Sequence, residues 1–94
     1  MSIGLLILHI HLPGCSSLKE KRGRLKPLLA KLHKEYNVSA AEVDHLDVWQ
    51  DAVIACALIS NEREHTQRVL QKIANWVDSD WRDVDLVSEE IELL

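Results

Sequence analysis

The run "AVIACALI" at residues 52–59 is apolar at every position. A strand with one face in water alternates apolar and polar side chains. A strand without that alternation is flanked or covered on both sides. We read Val48–Ile59 as a central strand and place the other elements around it. Upstream, "DHLD" (44–47) makes a turn and Asn37–Val43 a short strand. Downstream, Asn61 is a helix cap, with Glu64 three positions on as its capping-box partner. Val69, Leu70, Ile73, Trp76 and Val77 then form the buried stripe of a helix. Asp83–Leu93 is a last strand, less regular, with the acidic tail "SEEIE" expected to fray.

The first half of the chain follows the same grammar. Residues 3–12 read as a strand closed by Pro13-Gly14. Leu6, Leu8, Ile10 and Leu12 point to one side, and Leu5, Ile7, His9 and His11 to the other. Ser16 or Ser17 caps a helix running to about Tyr36. Its apolar arc is Leu18, Leu25, Leu28, Leu29, Leu32 and Tyr36, with Lys19, Arg22, Lys26 and His33 together on one flank. Pro27 interrupts the pattern, because a mid-helix proline removes a donor and crowds the carbonyl of Gly23. A kink at Pro27 is one reading, and a helix starting near Lys26 is the other. Leu18 lies in phase with the later leucines and favours one bent helix.

The order is β-α-β-β-α-β. That is an α+β, ferredoxin-like plan: a four-stranded antiparallel sheet with both helices on one face, in the usual strand order 4-1-3-2. The 94 residues make a single domain, 1–94. Its apolar content of 47% is sufficient for a compact core. No run approaches the ~20 apolar residues that span a bilayer, and the opening "MSIGLLILHIHLPG" suits a strand better than a signal peptide. A cytoplasmic protein with no membrane partner is expected. Cys15 and Cys56 form neither a disulfide framework nor a metal-ligand spacing.

Charge is segregated. Residues 16–36 carry a net +5 and the remainder −9, in a chain of net −4. The acidic total argues against a general nucleic-acid binder, and DNA is not expected as a partner. The local basic segment leaves room for one anionic contact. In this topology, the end of strand 1, the start of helix 1, the strand 2–3 turn and the start of strand 4 share one end of the molecule. His11, Ser16–Arg22, Asp44–Gln50 and Trp81-Arg82 therefore meet there. Cations at a helix N-terminus oppose its dipole. Asp44 and Asp47, or a bound anion on the free helix N–H groups, are positioned to offset them.

The stretches "LHIHLPGCSSLKEKR" (8–22), "NVSAAEVDHLDVWQDAVI" (37–54) and "SNEREH" (60–65) resemble the small bacterial proteins of unknown function in the DUF503 (YlxP-like) family. "SLKEKR" and "AEVDHxDxWQ" carry the resemblance, which covers nearly the whole chain. It implies a ferredoxin-like fold and no established activity. Its gene neighbourhood, near translation initiation and ribosome maturation genes, implies a ribosome-associated role. Matching residues are His11, Ser17, Lys19, Lys21, Arg22, Glu42, Asp44, His45, Asp47, Trp49 and Gln50. The chain departs from the pattern at Pro27 and at Ile7, where a polar residue is common.

Sharper chemistries find little support. Nucleic-acid readers of this topology stack bases on aromatics of the central strands, but the chain has no Phe and its first strand no aromatic. His9, His11 and His45 with Asp44 or Asp47 lack diagnostic ligand spacing, so no metal and no cofactor is assigned. Asp44, His45 and Ser16 or Ser17 match no nucleophile elbow. Cys15 near lysines has no resolving partner. No catalytic residue is named.

The expectation is a non-enzymatic accessory of ribosome assembly or translation. Ser16, Ser17, Lys19, Lys21, Arg22 and Lys26 would form its anion- or RNA-binding face. Lys19, Lys21, Arg22 and Lys26 would contact phosphate on ribosomal RNA or a subunit. Asp44, His45 and Asp47 would orient those cations or bond a partner, with His11 nearby, and Trp49 and Gln50 would hold the hairpin. A small-anion or metabolite site at the same end is the alternative. A third reading uses the open sheet face, where Leu5, Ile7 and one side of strand 3 leave an apolar patch that suits a homodimer.

Overall fold

The structure, a computed structural model, describes residues 1–94. Its elements are β1 (Ser2–His11), α1 (Leu18–Tyr36), β2 (Ser39–Asp44), β3 (Asp51–Ser60), α2 (Arg63–Asp80) and β4 (Asp85–Leu93). The sheet order is β2-β3-β1-β4, antiparallel throughout. The expected α+β ferredoxin-like fold is present. No helix is long and apolar enough to cross a membrane.

The alternation in β1 is strict. Leu6, Leu8 and Ile10 are buried, and Leu5, Ile7, His9 and His11 are half-buried on the opposite face. Cys56, Ile54 and Leu58 of β3 pair beside Leu6, Leu8 and Gly4, extending the covered face. Leu25, Leu28 and Leu32 of α1 and Leu70, Ile73, Ala74 and Val77 of α2 close over it into one core. Each fully buried leucine contributes about 1.5–3 kcal/mol of apolar transfer. Gly4 permits the close approach of α2: a Cβ there would lie 2.5 Å from Thr66 Cγ2 and 2.7 Å from Leu70 Cδ1. Tyr36, Trp76 and Trp81 form a tilted aromatic ladder, with successive centroids 5.7 and 5.5 Å apart.

Several boundaries differ from the sequence reading. α1 runs unbroken through Pro27, which rules out a start near Lys26. Its stop is Asn37, in the left-handed region at φ 52°, so β2 begins only at Ser39. β3 begins at Asp51 rather than Val48, which lengthens the hairpin loop to residues 45–50. The capping box at Asn61 does not form: α2 starts after Glu62, which makes no side-chain cap. Instead the Ser60 hydroxyl accepts the Glu62 N–H at 3.2 Å, and the buried Thr66 hydroxyl donates to the Glu62 carbonyl at 3.2 Å. β4 begins at Asp85 and stays in the ladder to Leu93 despite its acids. Both edge pairings contain a bulge, one between Glu42 and Asp44 and one between His9 and Ile10.

Candidate functional site

The helix start and the hairpin loop do meet, and Lys21 joins them. Positions 18, 21, 25, 28 and 32 follow a three-four spacing, so Lys21 lies on the buried side of α1. Its side chain is 1% exposed, and its Nζ lies 2.6 Å from Glu42 Oε2. The ammonium donates to the carbonyls of His45 and Val48, both at 2.7 Å. Two of its donors are thus engaged by the loop backbone, and its charge sits against a carboxylate of β2. The Glu42 oxygen is held by charge rather than by an aligned hydrogen bond.

The same contact shapes the loop. His45 takes a left-handed backbone, φ 59°, and Val48 N–H donates to the His45 carbonyl at 3.0 Å. Asp44 Oδ1 accepts the His45 N–H at 2.8 Å, and this bond, helped by the His45 side chain, holds its carboxyl below the usual range. Gln50 ties the loop to β1 and to the segment before α1. Its carbonyl accepts from Leu12 N–H at 2.8 Å, and its amide donates to the Cys15 carbonyl at 3.4 Å. Trp49 remains 52% exposed, with Leu46 and Val48 also outward.

Three expectations are corrected by this geometry. Lys21 does not face an anion, because the loop and Glu42 enclose it. Asp44 turns to His45, and neither it nor Asp47 pairs with the helix cations; that role falls to Glu42. Trp49 does not hold the hairpin, which rests on Gln50 and Lys21 instead. Arg24 is also engaged internally. It donates to Asp83 Oδ2 at 2.9 Å, to the Asp83 carbonyl at 2.6 Å and to the Pro13 carbonyl at 2.9 Å. The Asp83 contact raises its pKa.

Ser17 is the N-cap, accepting the Glu20 N–H at 3.0 Å, and the Ser16 hydroxyl donates to Glu20 at 3.4 Å. Glu20 in the first turn suits the helix dipole. Lys19, Arg22 and Lys26 are exposed and have no carboxylate partner within the molecule. His11 pairs with Asp51 at 3.3 Å on the open sheet face. No three His, Cys, Asp or Glu side chains converge in a geometry that would hold a metal ion. Both cysteines are buried, and burial pushes the Cys56 thiol up to about 12.

A groove of about 440 Å³ opens beside α1. Leu25, Leu29 and Ala30 form its floor, and Arg22, Lys26, His33 and Glu42 its walls. Sequence reasoning placed Arg22, Lys26 and His33 on one flank but missed the groove, which needs the pairing position of β2. The enclosure of Lys21 was signalled by its phase in the leucine stripe, since a cation there requires a buried acceptor.

The helix cap, Lys21 and the hairpin loop sit in the segments that carried the family resemblance, and the family described as "Protein of unknown function (DUF503)" matches residues 3–91. The chain belongs to the DUF503 family. A DUF503 relative, "Uncharacterized protein YlxP" of Bacillus subtilis (strain 168), is 38% identical over 63 residues, covering 67% of this chain and 68% of its own length. Neither description carries an activity.

Proposed function

We propose that this DUF503 protein is a non-enzymatic, cytoplasmic accessory of ribosome assembly or translation, and that it contacts RNA phosphate through the outer flank of α1. The observation that carries the reading is the contrast among the helix cations. Lys21 and Arg24 are engaged internally, whereas Lys19, Arg22 and Lys26 are exposed and lack a carboxylate partner. Such cations release counterions on meeting phosphate and make binding steeply salt-dependent. Ser16 and Ser17 add no contact of their own, being engaged in the helix cap. Co-sedimentation with ribosomal particles on sucrose gradients tests this. The protein should travel with a subunit at low salt, leave it at high salt, and lose the association on Lys19→Glu with Arg22→Glu. A protein that stays at the top of both gradients refutes the reading.

A second reading concerns the sheet face away from the helices. Leu5 and Ile7 of β1 lie opposite Ala57 and Ala55 of β3, and no helix covers them. A second copy seated there would bury this apolar row. Light scattering should give a dimer mass that falls to the monomer in Ile7→Asp, and a monomer mass for the parent excludes it.

A further inference from the structure

We propose that the groove between α1 and β2 accepts an extended acidic peptide of a partner protein, which adds as a fifth strand beside β2. β2 is an edge strand, paired only with β3. The direction of its outward backbone groups is marked by His33. Its Nε2 lies 3.1 Å from both the N–H and the carbonyl oxygen of Ala40, accepting from one or donating to the other according to its tautomer. Those groups therefore point away from β3 and toward α1, where His33 holds them. Strand periodicity turns the backbone groups of Glu42 the same way. An edge row held only by one imidazole is a template for strand addition, the guest strand taking the Ala40 groups over from His33.

The groove supplies the side-chain half of the recognition. Its floor of Leu25, Leu29 and Ala30 suits an apolar residue. Its rim of Arg22, Lys26 and His33 faces a single carboxylate, Glu42, already paired with Lys21. The rim is therefore net positive, and complementarity selects an acidic guest over a basic one. Lys19, one turn nearer the helix start, is not among the groove residues. RNA binding at the helix start and peptide binding in the groove are thus separable at Lys19, with Arg22 and Lys26 shared.

The test uses the full chain and a fluorescein-labelled EVEVEVE peptide in anisotropy titrations, with KVKVKVK as the counter-charged control. EVEVEVE should bind and KVKVKVK should not. Ala40→Pro removes an outward N–H, bonded to His33 in the free protein, and leaves the β3 ladder intact, since edge positions tolerate proline. It should weaken the peptide by about tenfold or more. On the unaltered protein, EVEVEVE N-methylated at alternate residues should lose binding in the same way, so the test survives if Ala40→Pro fails to fold. No binding by about 1 mM, or equal binding of the N-methylated peptide, overturns the proposal. A U12 oligonucleotide separates the two readings. It should weaken on Lys19→Glu and be indifferent to Ala40→Pro. If U12 binds and the peptide does not, the peptide proposal falls alone. If the peptide binds and U12 does not, the RNA reading falls alone. If Ala40→Pro weakens U12 instead of the peptide, the groove belongs to nucleic acid and the peptide proposal is overturned.

Discussion

The inner and outer sides of the first turns of α1 carry the same kind of residue to different ends. On the inner side, Lys21 is surrounded by Glu42 and the carbonyls of His45 and Val48. On the outer side, Arg22 is the next residue and reaches water. One step along a helix rotates a side chain by about 100°, and that rotation separates a structural cation from an available one. A count of basic residues does not see the distinction, whereas helical phase does.

The contrast is sharpest in stability. Lys21→Ala leaves a largely buried carboxylate without its counter-charge and two carbonyls without their donor, so unfolding in urea should report a loss of about 3–5 kcal/mol. Replacing both partners, Lys21→Met with Glu42→Leu, should recover much of it. A Lys21→Ala protein as stable as its parent would break the comparison. Next in size is Arg24→Ala. The pair with Asp83 is partly exposed, so the expected cost is about 1–2 kcal/mol, most of it from the two carbonyls. Ser17→Ala removes the helix cap and should cost about 1 kcal/mol. On the outer flank, Lys19→Ala, Arg22→Ala and Lys26→Ala should each stay within about 0.5 kcal/mol. A large loss at any of the three would mean that the flank is structural too. Smallest is the effect of Asp44. Its pKa is lowered in the fold by the His45 N–H, so its contribution is present at neutral pH and lost as pH falls through its folded value. Carboxyl-carbon NMR should show Asp44 titrating below the ordinary aspartate value.

Most of the fold was legible from apolar period and turn chemistry. The two-sided run 52–59 marked the central strand, and the alternation in β1 named its buried face correctly. The failures lie where tertiary contacts overrode local signals. Val48 and Trp49 look like strand residues, yet the Lys21 ammonium takes the carbonyls of His45 and Val48 and keeps the segment a loop. Asn61 and Glu64 look like a capping box, yet Ser60 and Thr66 tie that turn instead. Among the site residues, the exposed flank was readable from helical spacing. The pairing of Glu42 with Lys21 and of Arg24 with Asp83 joins residues distant in the chain, and no local pattern announces such contacts.

The bulge between Glu42 and Asp44 has a bearing on aggregation. An edge that welcomes a guest strand is also exposed to uncontrolled stacking of identical chains. Here the straight part of β2 is bounded by the left-handed residue Asn37 on one side and by the bulge on the other. Bulges bend the strand and add twist, so a long flat ladder finds no register beyond them. The edge is a short berth, long enough for one brief segment and too short to seed a fibril.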